Sequence, residues 1–217
     1  MIDYHSHILP GIDDGSRDLE QSIKMARVAC GLGFTKIVAT PHYEEGMTEY
    51  YFPRYPEMIR EEVERLNNTL LKEGIGIEIY PGSEVMLSPN VIEQYEKGKM
   101  ITFGDQGTHL LVELPLNFQP LWVDDVIYEL RLRGITPILA HPERYIYWQN
   151  RLEKIEEYIN KGVQLQLNLG SLAGKYGKRV QKTAERINKE LKIDYYGSDA
   201  HTEKGYEILS KLENFNT

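Results

Sequence analysis

Short runs of consecutive apolar residues recur along the chain, separated by longer stretches with apolar residues at helical spacing. Residues 37–39 and 138–140 are apolar at every position, which is typical of strands buried on both faces, as in a parallel sheet covered by helices. Val126, Ile127 and Leu130 repeat at the spacing of one helix face. The pattern therefore predicts strands and helices in alternation.

Seven strands, each followed by a helix, are predicted in this way. The predicted strands are residues 2–5, 36–40, 76–81, 109–114, 136–140, 163–167 and 194–196. The predicted helices are residues 19–32, 56–72, 89–96, 121–133, 152–160 and 178–191, with a last one from Glu203. This order indicates an α/β fold with parallel strands, a (β/α)7 barrel one unit short of the eightfold type. An open doubly wound sheet is the main alternative, since the strand count alone does not separate the two.

The chain has no Pro/Ser-rich linker and no break in composition, so we expect one domain over residues 1–217. The longest predicted loop, residues 43–57, is rich in Tyr and Glu. It follows a strand end, which is where barrels of this type carry their functional residues.

Composition and charge exclude several classes of protein. The formal net charge of −8 provides no broad field that would attract nucleic acid or an anionic membrane, so we expect neither as a partner. The single cysteine, Cys30, excludes an intramolecular disulfide and a cysteine-based zinc site, and it fits a reducing compartment. No stretch approaches the roughly 20 apolar residues of a membrane span. The first residues lack the features of a secretory signal, so we expect a cytoplasmic protein whose mature chain begins at Met1.

Side chains that bind divalent metals are concentrated at the ends of the predicted strands. His5 and His7 lie two residues apart, which places them on one face of the first strand. Asp199 and His201 form a second pair with the same spacing after the last strand. Asp14 lies in the loop after the first strand, and the others follow or close the second to fifth strands. The candidate ligands are His5, His7, Asp14, His42, Glu84, Glu113, His141, Asp199 and His201.

The carboxyl ends of parallel barrel strands converge on one rim, so these nine side chains are expected to form one cluster. Imidazole and carboxylate ligands suit Zn, Mn or Fe. Nine ligands are too many for one tetrahedral ion and fit two or three ions that share carboxylates, an arrangement that serves phosphoryl transfer. His109, at the start of its strand, is expected to be structural. Asp13 is interpreted as a turn residue.

Other hydrolase chemistries are absent from the sequence. Cys30 lies in an amphipathic helix and is followed six residues later by Lys36 instead of an arginine, so we expect a core residue and not a phosphatase nucleophile. There is no phosphate-binding GxxxxGK[ST] loop and no GxSxG motif.

Arg144, three residues after His141, can reach the same rim, where a guanidinium would hold a phosphoryl group. The alternative is a structural ion pair with Glu143 or another loop acid. Aromatic residues follow His42 and Arg144, and Tyr43 and Tyr145 are predicted to contact a planar leaving group such as a phenol. Packing of the aromatic residues against each other is the alternative. Weaker candidate phosphate ligands are Arg17, Lys175, Lys178 and Arg179.

Five motifs resemble those of the polymerase-and-histidinol-phosphatase (PHP) superfamily. They are HSHILPGIDDGS at residues 5–16, ATPH at 39–42, GSEV at 82–85, HPERY at 141–145 and SDAH at 198–201. Within the superfamily the chain is most similar to the bacterial manganese-dependent protein-tyrosine phosphatases of capsular and exopolysaccharide operons. The resemblance spans residues 1 to about 205.

The resemblance implies a distorted seven-stranded barrel with a trinuclear metal centre. The implied ligands are the same nine residues, and the implied phosphate-binding arginine is Arg144. It implies a phosphotyrosine substrate in the tail of an autophosphorylating tyrosine kinase. It also implies a second arginine late in the chain, for which we consider Lys204 or a residue near Arg179, and a C-terminal helical segment longer than the one before Thr217.

These observations predict a metal-dependent phosphomonoesterase that acts on protein phosphotyrosine through a metal-activated hydroxide. Two or three divalent ions are expected, Mn first and Fe or Zn as alternatives. The alternative functions are a small-molecule phosphatase of histidinol-phosphate type and a non-catalytic metal-binding regulatory domain. The oligomeric state is left open.

Overall fold

Strands and helices alternate along the chain, as predicted. In the computed structural model, which describes residues 1–212, the strands are β1 (Ile2–Ser6), β2 (Lys36–Ala39), β3 (His42–Tyr43), β4 (Glu78–Pro81), β5 (Glu84–Met86), β6 (His109–Glu113), β7 (Thr136–Ala140), β8 (Gln164–Asn168) and β9 (Tyr195–Gly197). The α-helices are α1 (Leu19–Gly31), α2 (Met47–Tyr51), α3 (Tyr55–Lys72), α4 (Val91–Glu96), α5 (Val123–Leu132), α6 (Leu152–Asn160), α7 (Leu169–Leu172), α8 (Lys178–Glu190) and α9 (Glu203–Glu207). Short 3₁₀ helices span Phe103–Asp105, Pro142–Arg144 and Ile208–Lys211.

All strand pairs are parallel and form two sheets, in the orders β1-β2-β4 and β3-β5-β6-β7-β8-β9. β3 follows β2 along the chain and β5 follows β4, and both pairs are parallel: β2 pairs with β4, and β3 pairs with β5. If β2 with β3 and β4 with β5 are each counted as one interrupted stretch, the nine strands form seven stretches around the barrel. The last stretch lies beside the first, because the Asp199 N–H donates to the His5 carbonyl (2.8 Å) and the His7 N–H donates to the Ala200 carbonyl (3.0 Å). The result is a distorted seven-stranded barrel, which confirms the predicted fold class and not the open sheet.

Two strands, β3 and β5, and two short helices, α2 and α7, were not predicted from the sequence. The second predicted strand ends before Pro41, which lacks a backbone N–H, and β3 begins just after this residue. The third predicted strand ends before Gly82, and β5 begins at Glu84. The predicted loop 43–57 contains α2. The Glu49 carboxylate accepts hydrogen bonds from the Gly46 N–H and the Tyr43 hydroxyl, both at 2.5 Å, and these bonds organise this short helix. The last predicted helix ends at Glu207 as an α-helix, and residues 213–217 lie outside the described residues.

The long helices cover the outside of the barrel with amphipathic faces. In α1 the Asp18 carboxylate accepts a hydrogen bond from the Gln21 N–H (2.9 Å) and caps the helix, while Met25 and Ala29 are fully buried. Cys30 is partly buried against the core, in agreement with its prediction as a core residue. Within the described residues, no helix combines the length and the apolar composition that crossing a bilayer requires.

The inside of the barrel changes from apolar to polar along its axis. Leu111, Ile138 and Ala140 form a buried apolar cluster inside the sheet, with Phe103 against it. Side chains two residues apart on a strand share a face, so Glu113 lies beyond Leu111 on the same side of β6. This alternation brings ionisable side chains to the carboxyl ends of the strands.

Candidate metal centre

The structure brings together all nine side chains that the sequence marks as candidate ligands. They form four overlapping groups, and within each group the candidate ligand atoms lie within 4.8 Å of one another. The groups are His7, Asp14, His42 and His201; His5, Glu84 and His141; His5, His7 and Asp199; and His42, Glu84 and Glu113. His109, predicted to be structural, lies at the start of β6, where its Nδ1 is 2.9 Å from the Thr108 hydroxyl.

Glu84 lies at the middle of the cluster and is 1% exposed. Its Oε2 lies 3.1 Å from His5 Nε2, 3.3 Å from His7 Nε2 and 3.2 Å from His42 Nδ1. Its Oε1 lies 2.9 Å from His141 Nε2, which is also 3.4 Å from Glu113 Oε1. The two oxygens of one carboxylate therefore face two different sets of nitrogens, the arrangement that a bridging ligand needs.

The group of His7, Asp14, His42 and His201 is the part of the cluster that is most open to solvent. The Asp14 side chain is 72% exposed, and its Oδ1 lies 3.5 Å from His42 Nε2 and 3.3 Å from His201 Nε2. The His201 ring stacks on the buried His7 ring with 4.0 Å between ring centroids. The cluster is therefore open to solvent on this side.

Hydrogen bonds behind the cluster fix which ring nitrogen faces inward. The Asp13 carboxylate accepts a bond from His7 Nδ1 (2.6 Å), and the Gln166 side-chain oxygen accepts one from His5 Nδ1 (2.8 Å). The Asp199 carbonyl accepts one from His201 Nδ1 (3.2 Å). In each case Nε2 is left to point at the cluster, which is how proteins orient metal-ligating histidines.

Two predicted ligands have strained backbones. His141 (φ 34°) and Asp199 (φ 50°) lie in the left-handed region, which non-glycine residues seldom adopt. Such strain occurs where the surrounding structure fixes a side chain for function.

Burial and neighbouring charges shift the pKa values inside the cluster. Burial, with the nearby Glu84 charge, raises the pKa of Glu113 to about 8. Burial alone would lower the pKa of His5, but the carboxylates of Glu84 and Asp199 outweigh it and raise the pKa to about 9. Burial, with the Arg144 charge, lowers the pKa of His141 to about 4, and its buried Nδ1 has no hydrogen-bond partner within the described residues.

Five imidazoles and four carboxylates crowded in this way fit divalent metal ions. Burying so many ionisable groups is costly unless they are paired or coordinate a metal. Nitrogen and oxygen donors without thiolates suit Mn, Fe or Zn. Every one of the nine side chains lies in at least one group whose ligand atoms are close enough to share an ion.

Arg144 borders the cluster through Asp199. Its Nη1 donates to Asp199 Oδ2 (2.9 Å), the oxygen that also accepts bonds from Asn168 Nδ2 (2.7 Å) and the Tyr176 hydroxyl (2.8 Å). The Arg144 guanidinium carbon lies 4.5 Å from the centre of the Tyr176 ring. Asp199 Oδ1 faces the imidazoles of His5, His7 and His201, so this one carboxylate joins the arginine to the cluster.

Of the alternative ion pairs considered for Arg144, the one with Glu143 does not form. Glu143 is buried and accepts hydrogen bonds from the Ser171 hydroxyl (2.6 Å) and the Asn168 N–H (3.2 Å). Arg144 instead pairs with Asp199, and its side chain is 22% exposed beside the cluster. Among the weaker candidate cations, Lys175 reaches the cluster, where its Nζ donates to the Asp199 carbonyl (3.0 Å). The remaining candidates, Arg17, Lys178, Arg179 and Lys204, are exposed.

The two tyrosines predicted to contact the substrate are buried. The Tyr43 hydroxyl donates to Glu49, and the Tyr145 hydroxyl donates to the Ala140 carbonyl (2.9 Å) and accepts from the Leu114 N–H (3.1 Å). Both rings are at most 1% exposed. Their burial argues against direct contact with a substrate and favours the alternative, in which the aromatic residues pack against each other.

Sequence reasoning missed four residues that support the site. Asp13 was interpreted as a turn residue, and it does accept a bond from the Gly15 N–H (2.9 Å), but it also orients His7. Gln166 and Asn168 interrupt the apolar pattern of β8 at a spacing of two, a signal like that of the histidine pairs. Tyr176 lies in a loop, where no pattern marks it.

The fold and the site define an α/β barrel protein with a candidate polynuclear metal centre at the carboxyl ends of its strands. The chain belongs to the family described as capsular polysaccharide synthesis, CpsB/CapC, whose model matches residues 1–207.

Similar proteins carry phosphatase names. The chain is 35% identical over 204 residues to the tyrosine-protein phosphatase YwqE of Bacillus subtilis, covering 94% of this chain and 78% of that protein. It is 29% identical over 208 residues to the tyrosine-protein phosphatase CpsB of Streptococcus agalactiae, covering 93% and 83% of the two chains.

Solved structures agree with the fold. One from a study of YwqE from Bacillus subtilis and CpsB from Streptococcus pneumoniae, described as unique metal-dependent tyrosine phosphatases, matches with a TM-score of 0.86 and 33% identity, covering 100% of this chain and 88% of that one. The hisK protein of Listeria monocytogenes matches with a TM-score of 0.53 and 13% identity, covering 94% and 97% of the two chains, which shows a shared fold alone.

Proposed function

We propose that this chain is a metal-dependent phosphatase that hydrolyses phosphotyrosine in proteins, exchanging the phosphorus–oxygen bond to tyrosine for one to water. The observation that carries the proposal is the convergence of nine imidazole and carboxylate side chains beside Arg144. The relatives named as tyrosine phosphatases support the same reaction.

The nine residues would hold two or three divalent ions, with manganese as the proposed metal. Ions bound there would acidify a water molecule and neutralise charge on the phosphoryl oxygens. Glu84 would bridge, since its two oxygens face different nitrogens. Asp13 and Gln166 would keep His7 and His5 in the tautomer with Nε2 free for the metal.

Arg144 would bind the phosphoryl group. Within the described residues its one side-chain hydrogen bond uses Nη1, so Nε and Nη2 remain to donate to phosphate oxygens. Asp199 and the Tyr176 ring orient the guanidinium before substrate arrives, which reduces the ordering cost of binding. A phenol is a good leaving group, so less help from a general acid is needed than for an alkyl ester.

The proposed setting is the cytoplasm, where the substrate would be the phosphotyrosine tail of an autophosphorylating tyrosine kinase that controls capsule or exopolysaccharide synthesis. The family description, capsular polysaccharide synthesis, supports this partner. We propose that residues 1–217 form one domain.

The test measures phosphate release from a phosphotyrosyl peptide and from histidinol phosphate. Protein stripped by a chelator is assayed before and after addition of Mn, Fe or Zn. We expect the stripped protein to be inactive and added metal to restore activity. We also expect kcat/KM for the peptide to exceed that for histidinol phosphate by at least about tenfold, equivalent to about 1.4 kcal/mol. Activity without metal would overturn the mechanism, and a preference for histidinol phosphate would overturn the substrate.

Two variants control this experiment. His5→Ala removes a candidate ligand from the middle of the cluster and should abolish turnover, while His109→Ala removes a histidine at the other end of the barrel and should not. Metal binding without turnover of either substrate would instead favour a regulatory domain.

A further inference from the structure

Two pockets border the metal centre at Asp14, and they differ in chemistry. One is lined by polar and charged side chains, among them Arg17, Gln21, Glu203 and Lys204. The other, which we call the side pocket, has a volume of about 330 Å³. Its apolar wall is formed by Ile12, Met47, Tyr51 and Phe52, and its polar residues include Asp14, His42 and Glu44. The side pocket therefore joins an apolar surface directly to two candidate ligands.

The apolar wall of the side pocket is open to solvent. Met47 is 52% exposed and Tyr51 is 67% exposed, so both present apolar surface to solvent beside the cluster. Both belong to α2, the short helix that the Glu49 carboxylate ties to Gly46 and Tyr43. The Tyr51 ring also packs edge to face on Tyr50, with centroids 5.1 Å apart. The wall is thus formed in advance and does not need a substrate to assemble it.

Two other borders of the cluster are polar. Arg144, Lys175 and Tyr176 surround Asp199 on one side, and the pocket of Arg17 and Lys204 lies beside Asp14. A phosphoryl group suits these polar borders, whereas an aromatic ring would gain from apolar cover. In an aryl phosphate a single oxygen separates phosphorus from the ring, so the ring must lie against the edge of the cluster. The side pocket offers apolar surface at that edge.

We propose that the side pocket binds the aromatic ring of the leaving group, and that Met47 and Tyr51 make the site favour aryl over alkyl phosphates. The inference rests on the proposed function for the phosphoryl half of the site and adds a subsite for the ring. Aromatic and thioether side chains are suited to this role, because they bury a large area against a ring and have favourable contact geometry with it.

The first test measures binding and needs no turnover. Phenylphosphonate and methylphosphonate carry the same charged group and differ in the ring, and their dissociation constants on the metal-loaded protein are compared by calorimetry. We expect wild type to prefer phenylphosphonate by at least about tenfold, equivalent to about 1.4 kcal/mol. Tyr51→Ala and Met47→Ala together should remove most of this preference, leave methylphosphonate binding within about twofold and leave the metal content unchanged.

The second test measures turnover. The same variants should raise KM for p-nitrophenyl phosphate by about tenfold, equivalent to about 1.4 kcal/mol. They should leave KM for acetyl phosphate, a non-aromatic substrate with a good leaving group, nearly unchanged. Tyr51→Phe keeps the ring and should restore wild-type values. Phe118→Ala is the matched control, because Phe118 is a 60% exposed aromatic residue outside the side pocket.

The outcomes separate the two proposals. Equal losses for both phosphonates, or no loss for either, would overturn the side pocket as the ring site. The protein could also prefer phenylphosphonate tenfold, with a dependence on Tyr51, and yet hydrolyse no phosphotyrosine. That result would uphold the side pocket as the ring site and overturn the proposed function.

Discussion

The Asp13 carboxylate accepts a 2.6 Å hydrogen bond from Nδ1 of His7. A carboxylate can only accept, so the proton lies on Nδ1 and Nε2 faces the cluster. Burial alone would raise the pKa of Asp13, but the His7 imidazole outweighs it and holds that pKa below its usual range. The same oxygen accepts a bond from the His42 N–H (3.1 Å), so Asp13 positions residues of two strand ends.

We predict that Asp13→Asn weakens metal binding although Asp13 is not itself a candidate ligand. The amide has a donor and an acceptor and lacks the charge that holds the Nδ1 proton, so His7 loses its fixed tautomer. Outer partners of ligating histidines typically contribute about 10- to 100-fold in metal affinity. The measurement is Mn affinity by competition with a chromophoric chelator.

Asp105→Asn provides the control for this change. It removes the same charge from a surface ion pair with Arg60, away from the cluster, and should leave the metal affinity unaltered. Equal affinities for wild type and Asp13→Asn would show that the bond to His7 does not matter for metal binding.

Gln166 has the corresponding role behind His5, and here we predict an effect on stability without metal. In Gln166→Leu the buried His5 Nδ1 loses its 2.8 Å partner and Asn168 Oδ1 loses a 2.9 Å donor. Each buried polar group without a partner costs about 1–3 kcal/mol, so the free energy of unfolding should fall by at least that amount. Urea unfolding of the chelated protein measures it.

Gln164→Leu is the matched control, on the same strand two residues earlier. Gln164 is partly exposed and bonds the Tyr195 hydroxyl (3.0 Å), so we expect a loss of no more than about 1 kcal/mol. If the two variants lose the same stability, the buried bond to His5 has no special importance.

The sequence predicted which nine side chains lie close together, because strand alternation and strand ends are local signals. The pairs His5 with His7 and Asp199 with His201 both show the spacing of two that places side chains on one face. The strands β3 and β5 were missed because two or three residues carry no readable period. Tyr176 reaches Asp199 across 23 positions of sequence, a contact that depends on the packing of the loop before α8.

Metal should stabilise the folded protein, because unfolding separates the ligands. A ligand that binds only the folded state at 100 times its dissociation constant adds about 2.7 kcal/mol. We predict that excess chelator lowers the melting temperature and that added Mn restores it in a concentration-dependent way. The control is His5→Ala, whose melting temperature should respond much less to Mn. A wild-type protein that melts at one temperature under all these conditions would contradict a metal centre at this cluster.

Tyr176 makes two contacts that can be separated by substitution. Its hydroxyl donates to Asp199 Oδ2 (2.8 Å), and its ring lies under the Arg144 guanidinium, 4.5 Å away. Tyr176→Phe removes the first contact and Tyr176→Ala removes both. Stacking of this kind contributes about 0.5–2 kcal/mol, so Tyr176→Ala should lower kcat/KM for a phosphotyrosyl peptide by about 2- to 30-fold, with KM carrying most of the change.

If the Tyr176 ring is what orients Arg144, the Tyr176→Phe variant should retain most of the activity. The affinity of this variant for phosphate as an inhibitor should stay close to that of wild type. Asp199 also accepts hydrogen bonds from Asn168 and Arg144, so we expect it to stay in place in both variants. Metal content measured on both variants checks this, and so separates the role of the Tyr176 ring from damage to Asp199. If Tyr176→Phe loses as much activity as Tyr176→Ala while both keep their metal, the hydroxyl and not the ring is the part that matters, and the stacking argument fails.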